Sequence, residues 1–278
     1  MAGQFRLSPQ QERLWALGAG QTDSCFYAEA ALRLSGRLNI EVLKQAIRQI
    51  VERYEILRTT YPPVPGLEVP LQSLADTAVF DWREHDLSAA DEAARTSECD
   101  RLLATRPSFD LATGPVLRVD LATLATDEHW LILRLPSLAA DMPSLGRLVE
   151  ELLAAYGEGA DNGTAEDDEI LQFADLAEWQ AELLKSEEMD DGRQFWRQQR
   201  LDRDLDARLP AARAGKAAAD FALRRQVVHL DSERVEQLTT LATQHDATVD
   251  SLVLAAWQVY LARFAGNAQV VVDCGCDG

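Results

Sequence analysis

The sequence predicts a mixed α/β fold, and three observations carry that prediction. Between residues 39 and 54, Ile40, Leu43, Ile47, Ile50, Val51 and Tyr54 recur at helical spacing. Residues 115–123 and 129–135 alternate with period two instead: Val116, Arg118, Asp120 and Ala122 oppose Leu117, Val119 and Leu121, and Trp130, Ile132 and Arg134 oppose Leu131, Leu133 and Leu135. A strand–helix–strand order appears in both halves of the chain, which is the signature of α/β layers and is consistent with two related lobes.

Taken in order, residues 27–34 read as a strand, followed by the helix 39–54 with Asn39 as its N-cap. Residues 56–61 read as a strand stopped by Pro62 and Pro63. A second helix is expected over 89–105, ended near Pro107. The strands 115–123 and 129–135 flank the polar Thr126-Asp127-Glu128, so they form a hairpin. Residues 144–156 are then helical. Residues 157–169 are rich in Gly, Asn and acids and read as a surface linker. Helices are expected at 171–189 and 194–201, a mobile Ala/Gly/Arg-rich stretch at 210–220 and a strand at 222–230. Residues 232–245 form a helix with Ser232 as N-cap and Val235, Leu238, Leu241 and Ala242 on one face. Residues 248–264 form the most apolar helix, and 269–272 a short strand of buried type.

A length of 278 residues is enough for one large domain or two lobes with real cores. The net charge of −19 argues against nucleic acid or an anionic membrane as partner. The acidity reads as solubility, or as repulsion from other acidic proteins and docking to a basic patch. Cys25, Cys99, Cys274 and Cys276 do not make a disulfide framework, and Cys274-Gly275-Cys276 has no second pair or nearby histidine to hold a metal. The first residues lack the pattern of a signal peptide, and no run of ~18 apolar residues exists. A cytoplasmic location is therefore the expectation. Glycine-rich nucleotide loops, Gly-x-Ser-x-Gly and His-Glu-x-x-His are all absent. His85, His129, His229 and His245 are scattered and read as surface or strand-end residues.

Chemistry concentrates in residues 133–145, where a strand runs through a tight polar segment into a helix. Such junctions expose side chains and backbone N–H groups to a substrate. Ser137 is the polar group of this turn able to meet a substrate. A hydroxyl is no general base near neutral pH, and as a nucleophile it needs an adjacent base that the local sequence does not supply. Asp141 has two readings, an acid–base group or a structural salt-bridge or N-cap partner; pairing with an arginine is the expected role.

Five ordered segments resemble the condensation domains of nonribosomal peptide synthetases. Leu7-Ser8-Pro9-Gln10-Gln11-Glu12-Arg13-Leu14-Trp15 resembles Ser-x-Ala-Gln-x-Arg-Leu-Trp. Arg53-Tyr54-Glu55-Ile56-Leu57-Arg58-Thr59-Thr60-Tyr61 resembles Arg-His-Glu-x-Leu-Arg-Thr-x-Phe. Phe109-Asp110-Leu111-Ala112-Thr113-Gly114-Pro115-Val116-Leu117-Arg118 resembles Phe-Asp-Leu-x-x-Gly-Pro-Leu-Leu-Arg. Phe173-Ala174-Asp175-Leu176-Ala177-Glu178-Trp179 resembles Tyr-x-Asp-Phe-Ala-x-Trp, and residues 248–278 resemble the long helix and strand of the second lobe.

The resemblance implies a chloramphenicol-acetyltransferase-like α/β architecture of two lobes in a V. The N-terminal lobe would span residues 1–169, and 170–278 would begin an incomplete second lobe. It implies a tunnel that admits phosphopantetheine arms of carrier proteins as substrates, with no directly bound cofactor and no metal. The family's active-site motif is His-His-x-x-x-Asp-Gly. Here Pro136 and Ser137 stand at the two histidines, with Ser137 at the functional one; Asp141 is kept and Met142 replaces the glycine. In the family the second lobe continues past the residue matching Gly278, with an arginine that can pair with the motif aspartate. A shortened second lobe would leave strand edges and apolar surface open, and so would need a partner, self-association or further residues.

Three functions compete. The first is a catalytically degenerate domain that docks, gates or recruits a tailoring enzyme within a synthetase, beside carrier proteins and neighbouring modules. The second is an active domain that joins a donor acyl thioester to an acceptor amine. The third, an unrelated acyltransferase on the same fold, would keep a histidine in the turn.

Overall fold

The computed structural model describes residues 3–19, 26–157, 159, 170–199, 227–266 and 270–272, which fall into two compact units, Met1–Met189 and Asp190–Gly278. In the first unit the chain forms β1 (Gln4–Phe5), α1 (Pro9–Leu14), β2 (Tyr27–Ser35), α2 (Ile40–Arg53), β3 (Thr59–Thr60), β4 (Gln72–Leu74), β5 (Asp81–Asp86), α3 (Glu92–Ala104), β6 (Arg118–Ala125), β7 (Glu128–Pro136), α4 (Met142–Gly157) and α5 (Phe173–Leu183). The main sheet has the order β2-β7-β6-β5, antiparallel except for the parallel pair β5–β6, which α3 connects. A small antiparallel sheet β1-β4-β3 lies beside it in the same unit.

The period-two alternation expected of β6 and β7 sorts their side chains between two buried faces. Val119 and Leu121 of β6 and Leu131, Leu133 and Leu135 of β7 join Leu43, Ile47, Ile50 and Val51 of α2 and Leu145, Leu148 and Leu152 of α4 in the main core. Each such leucine contributes about 1.5–3 kcal/mol on burial. The opposite face places Ala122 and Ile132 against Leu102 of α3. Leu7, Tyr61, Phe109, Leu111, Val116 and Leu138 form a second cluster.

Helix starts follow their caps. Asn39 caps α2 with its side chain on the N–H groups of Glu41 and Val42, as the sequence predicts. The helix expected from residue 89 begins at Glu92, because Asp91 accepts the Ala94 N–H at 2.8 Å. Residues 56–61 are not one strand. Residues Glu55–Arg58 form a 3₁₀ turn and only Thr59–Thr60 pair, because the Leu57 N–H bonds to the Tyr54 carbonyl and the Thr59 hydroxyl to the Glu55 carbonyl. Besides the short strands β1 and β4, two further elements are not anticipated by the sequence reading. The first, β5, is largely polar; its Trp82 and Glu84 meet Lys44 of α2 at 5.0 Å from the ring centroid and 3.0 Å respectively. The second, α1, is a short helix closed by a Ser8–Gln11 capping box.

The compact units divide at 189/190, and α5 is fastened to the first of them. Gln172 bonds the Arg53 carbonyl and the Glu55 N–H, both at 3.1 Å, Glu178 accepts the Arg6 N–H at 2.6 Å, and Ala177 is fully buried. The second unit holds α6 (Asp190–Gln198), α7 (Ser232–Gln244) and α8 (Val249–Ala265). The N-cap of α7 is Asp231, not Ser232. Thr248 caps α8, which ends on Gly266 in the left-handed region at φ 66°. Trp257, Tyr260 and Phe264 stack along α8 and stay about half exposed. Of the strands expected at 222–230 and 269–272, residues 222–226 and 269 lie outside the described residues, and the described remainder is not in a strand. The stretch 210–220 and nearly all of 157–169 also lie outside the described residues.

Candidate active-site turn

The turn is built by the end of β7. Proline has no N–H, so Pro136 cannot donate to the sheet ladder, which closes there with Pro136 opposite Tyr27 and the Ser137 N–H on the Phe26 carbonyl at 3.0 Å. The Pro136 carbonyl then accepts the N–H groups of Ala139 and Ala140 at 2.8 and 3.2 Å, reversing the chain. Asp141 starts α4: its carboxylate accepts the Ser144 N–H at 2.8 Å and its carbonyl the Leu145 N–H at 3.0 Å. Leu145, Leu148 and Leu152 bury the other side of α4 in the core, so the turn hangs between a central strand and an anchored helix.

Within this frame Pro136 and Leu138 are buried and Ser137 is partly exposed. The Ser137 hydroxyl makes no hydrogen bond to any described residue. Asp141 is exposed, and bonds from Ser144 hold its carboxyl below the usual carboxylate range. Its role in this unit is the N-cap, and no described arginine of the unit reaches it. Met142 opens α4 with 61% of its surface exposed.

Among the described residues of the first unit, no imidazole enters the turn. His129 is buried near the start of β7 with Nδ1 3.3 Å from the Thr123 hydroxyl, and His85 lies on β5 with Nε2 2.9 Å from Asp120. Neither His229 nor His245 belongs to this unit.

Two buried polar groupings escape sequence reasoning. Gln11 and Tyr61 both donate to the Leu138 carbonyl, at 2.8 and 3.0 Å. On the α3 face of the sheet, the Arg134 guanidinium reaches Glu29 at 2.5 Å, Asp120 at 2.8 Å and the Leu102 carbonyl at 2.6 Å. Arg118 adds a 3.2 Å bond to Asp120. A charged residue inside an otherwise apolar strand is the available signal for the second. The first has only its place in two of the motif-like segments.

Comparison with known proteins agrees with this architecture. The family model described as Condensation domain matches residues 1–278. A linear gramicidin synthase of Brevibacillus parabrevis is 28% identical over 272 residues, 97% of this chain and 4% of that protein. Isonitrile lipopeptide synthase of Mycobacterium tuberculosis is 35% identical over 281 residues, 96% of this chain and 11% of that protein. The chain thus spans a small fraction of these relatives. Among solved structures, the X-domain from teicoplanin biosynthesis aligns with 95% of this chain and 58% of its own at a TM-score of 0.70 and 27% identity. The first condensation domain of the calcium-dependent antibiotic synthetase aligns with 98% and 64%, at a TM-score of 0.73 and 21% identity, and so shares the fold. On the match over its whole length, the chain belongs to the condensation domain family.

Proposed function

We propose that this chain is a condensation-like domain of a nonribosomal peptide synthetase whose own bond-forming step is impaired, and that it docks, gates or recruits within peptide natural-product biosynthesis. The reading is supported by Ser137, a partly exposed hydroxyl with no hydrogen-bonded base among the described residues, at the position that the resemblance assigns to the family's functional histidine. The curated relatives are synthetases many times longer, which supports carrier proteins and neighbouring modules as partners. Their phosphopantetheine arms would be the groups entering the site, in a cytoplasmic setting. A complex of the teicoplanin X-domain with OxyB aligns with this chain at 26% identity and a TM-score of 0.68, which favours recruitment of a tailoring enzyme as the form this role takes. Met142 adds bulk beside the turn where the family motif has glycine, as a gate would.

The intact turn favours a second reading, an active domain. Aligning two tethered reactants alone supplies effective molarities of about 10⁵ M or more. A condensation assay with donor- and acceptor-loaded carrier proteins separates the two. Loss of a general base costs about 10²–10⁴-fold, so Ser137→His should raise product formation by that order over a near-silent parent. Parent turnover equal to that of a relative with the full histidine motif would refute impairment.

A further inference from the structure

Two peptide groups near Ser137 are pinned, the one before it and the one that follows Leu138. Before it, the Ser137 N–H is held by Phe26. After it, the 138–139 peptide is held at both edges, its N–H by the Pro136 carbonyl at 2.8 Å and its carbonyl by two donors, Gln11 Nε2 at 2.8 Å and the Tyr61 hydroxyl at 3.0 Å. A carbonyl has two lone pairs, and both are taken.

The two donors are themselves fixed. Gln11 is 2% exposed, and its Oε1 accepts the Ser8 N–H at 2.9 Å within the capping box of α1, so the carboxamide has one orientation and Nε2 must face the turn. Tyr61 is 1% exposed, its N–H bonds the Leu111 carbonyl at 2.6 Å, and its hydroxyl lies 3.2 Å from Gln11 Nε2. Gln72, fully buried, closes the group by donating to the Arg6 carbonyl at 2.7 Å and lying 3.4 Å from Gln11 Nε2. Burial pushes the Tyr61 phenol far above its ordinary value, so it stays a donor at any working pH. Tyr61 stands where the resembled motif has Phe, and its hydroxyl is therefore a second donor that the motif residue lacks.

We propose that Gln11 and Tyr61 are positioning residues of the turn, setting the direction of the side chain at 137 through the Leu138 carbonyl. The importance of that direction rests on the turn's being the substrate-facing site, but the positioning itself is measurable without any carrier protein. The probe is a thiol introduced by Ser137→Cys in the full chain, alkylated with iodoacetamide and quantified by peptide mass spectrometry across pH, so that thiolate fraction and plateau rate separate. Adding Tyr61→Phe should change the plateau rate roughly two- to tenfold, the range one net hydrogen bond commands, and Gln11→Met should do the same or more. Alkylation at Cys99 serves as the internal reference. A purely structural role would lower the melting temperature and leave the plateau rate within about twofold of the parent, which overturns the proposal. If Gln11→Met does not melt cooperatively, Tyr61→Phe alone decides, since it removes one hydroxyl. A failed condensation assay leaves this result standing, and a failed alkylation result leaves the functional reading standing.

Discussion

Replacing Asp120 by alanine should be among the most damaging polar substitutions in the first unit. Asp120 is fully buried on β6 and accepts from Arg134, Arg118 and His85 at 2.8, 3.2 and 2.9 Å. Breaking a buried ion pair from one side costs about 3–5 kcal/mol, because the surviving charge is left desolvated. The lower end applies here because Arg134 keeps Glu29 and the Leu102 carbonyl. A loss of about 3 kcal/mol out of a typical 5–15 is large. With a urea m value of about 2 kcal/mol/M, the midpoint should fall by roughly 1.5 M. Arg33→Ala is the control. It removes the Arg33–Glu128 pair, whose arginine side chain is 68% exposed, and should cost under about 1 kcal/mol. Burial alone would push the Asp120 carboxyl up, but His85, Arg118 and Arg134 outweigh it and bring it below the ordinary value. The folded-state value is thus lower than the unfolded one of about 3.9, so this stabilisation is complete above that pH and is lost as pH falls through the folded-state value. Asp120→Ala should accordingly unfold with a shallower acid dependence. A urea shift no larger than that of Arg33→Ala would refute the reasoning, since it would mean the two arginines lose nothing when Asp120 leaves.

Three further outcomes are expected. Asp141→Ala should lose about 1 kcal/mol of thermal stability as α4 loses its cap, and Asp141→Asn should lose far less. Because the Asp141 carboxyl is lowered by its bonds from Ser144, the difference between parent and Asp141→Ala should shrink as pH falls below about 4. Cys99, 6% exposed and with its thiol pushed up by burial and by Asp100, Glu98 and Glu128, should react with iodoacetamide at least ~10-fold more slowly in the native protein than in urea; equal rates would contradict its burial. Ile47→Ala removes a side chain 2% exposed between α2 and the sheet and should cost about 2–5 kcal/mol in urea unfolding.

The elements legible in the sequence are those whose cause is local. Asn39 caps α2 through residues two and three positions away, and the β6–β7 hairpin announces itself by alternation around a short polar turn. Residues 56–61 carry an apolar pattern that suits a strand and a 3₁₀ turn alike; the Leu57 N–H on the Tyr54 carbonyl and the Thr59 hydroxyl on the Glu55 carbonyl make the turn, and Arg58 ties it to the distant Ala75 carbonyl. The polar strand β5 is silent in the sequence because an edge strand that buries little carries little apolar signal, although Trp82 and Glu84 find Lys44 across the fold.

For the candidate site the division is sharper. Sequence alone determined the family resemblance and the strand-to-helix character of residues 133–145, and it raised the expectation that Ser137 stands at the motif histidine, because all of these are properties of short consecutive strings. Tertiary structure decided that Asp141 caps a helix and pairs with no described arginine of its unit. It decided that Arg134 is matched by Asp120 and Glu29. It also decided that Gln11, 127 residues away, grips the carbonyl of Leu138. Burial forces each polar group to find a partner, but only the packing of distant segments says which one is within reach.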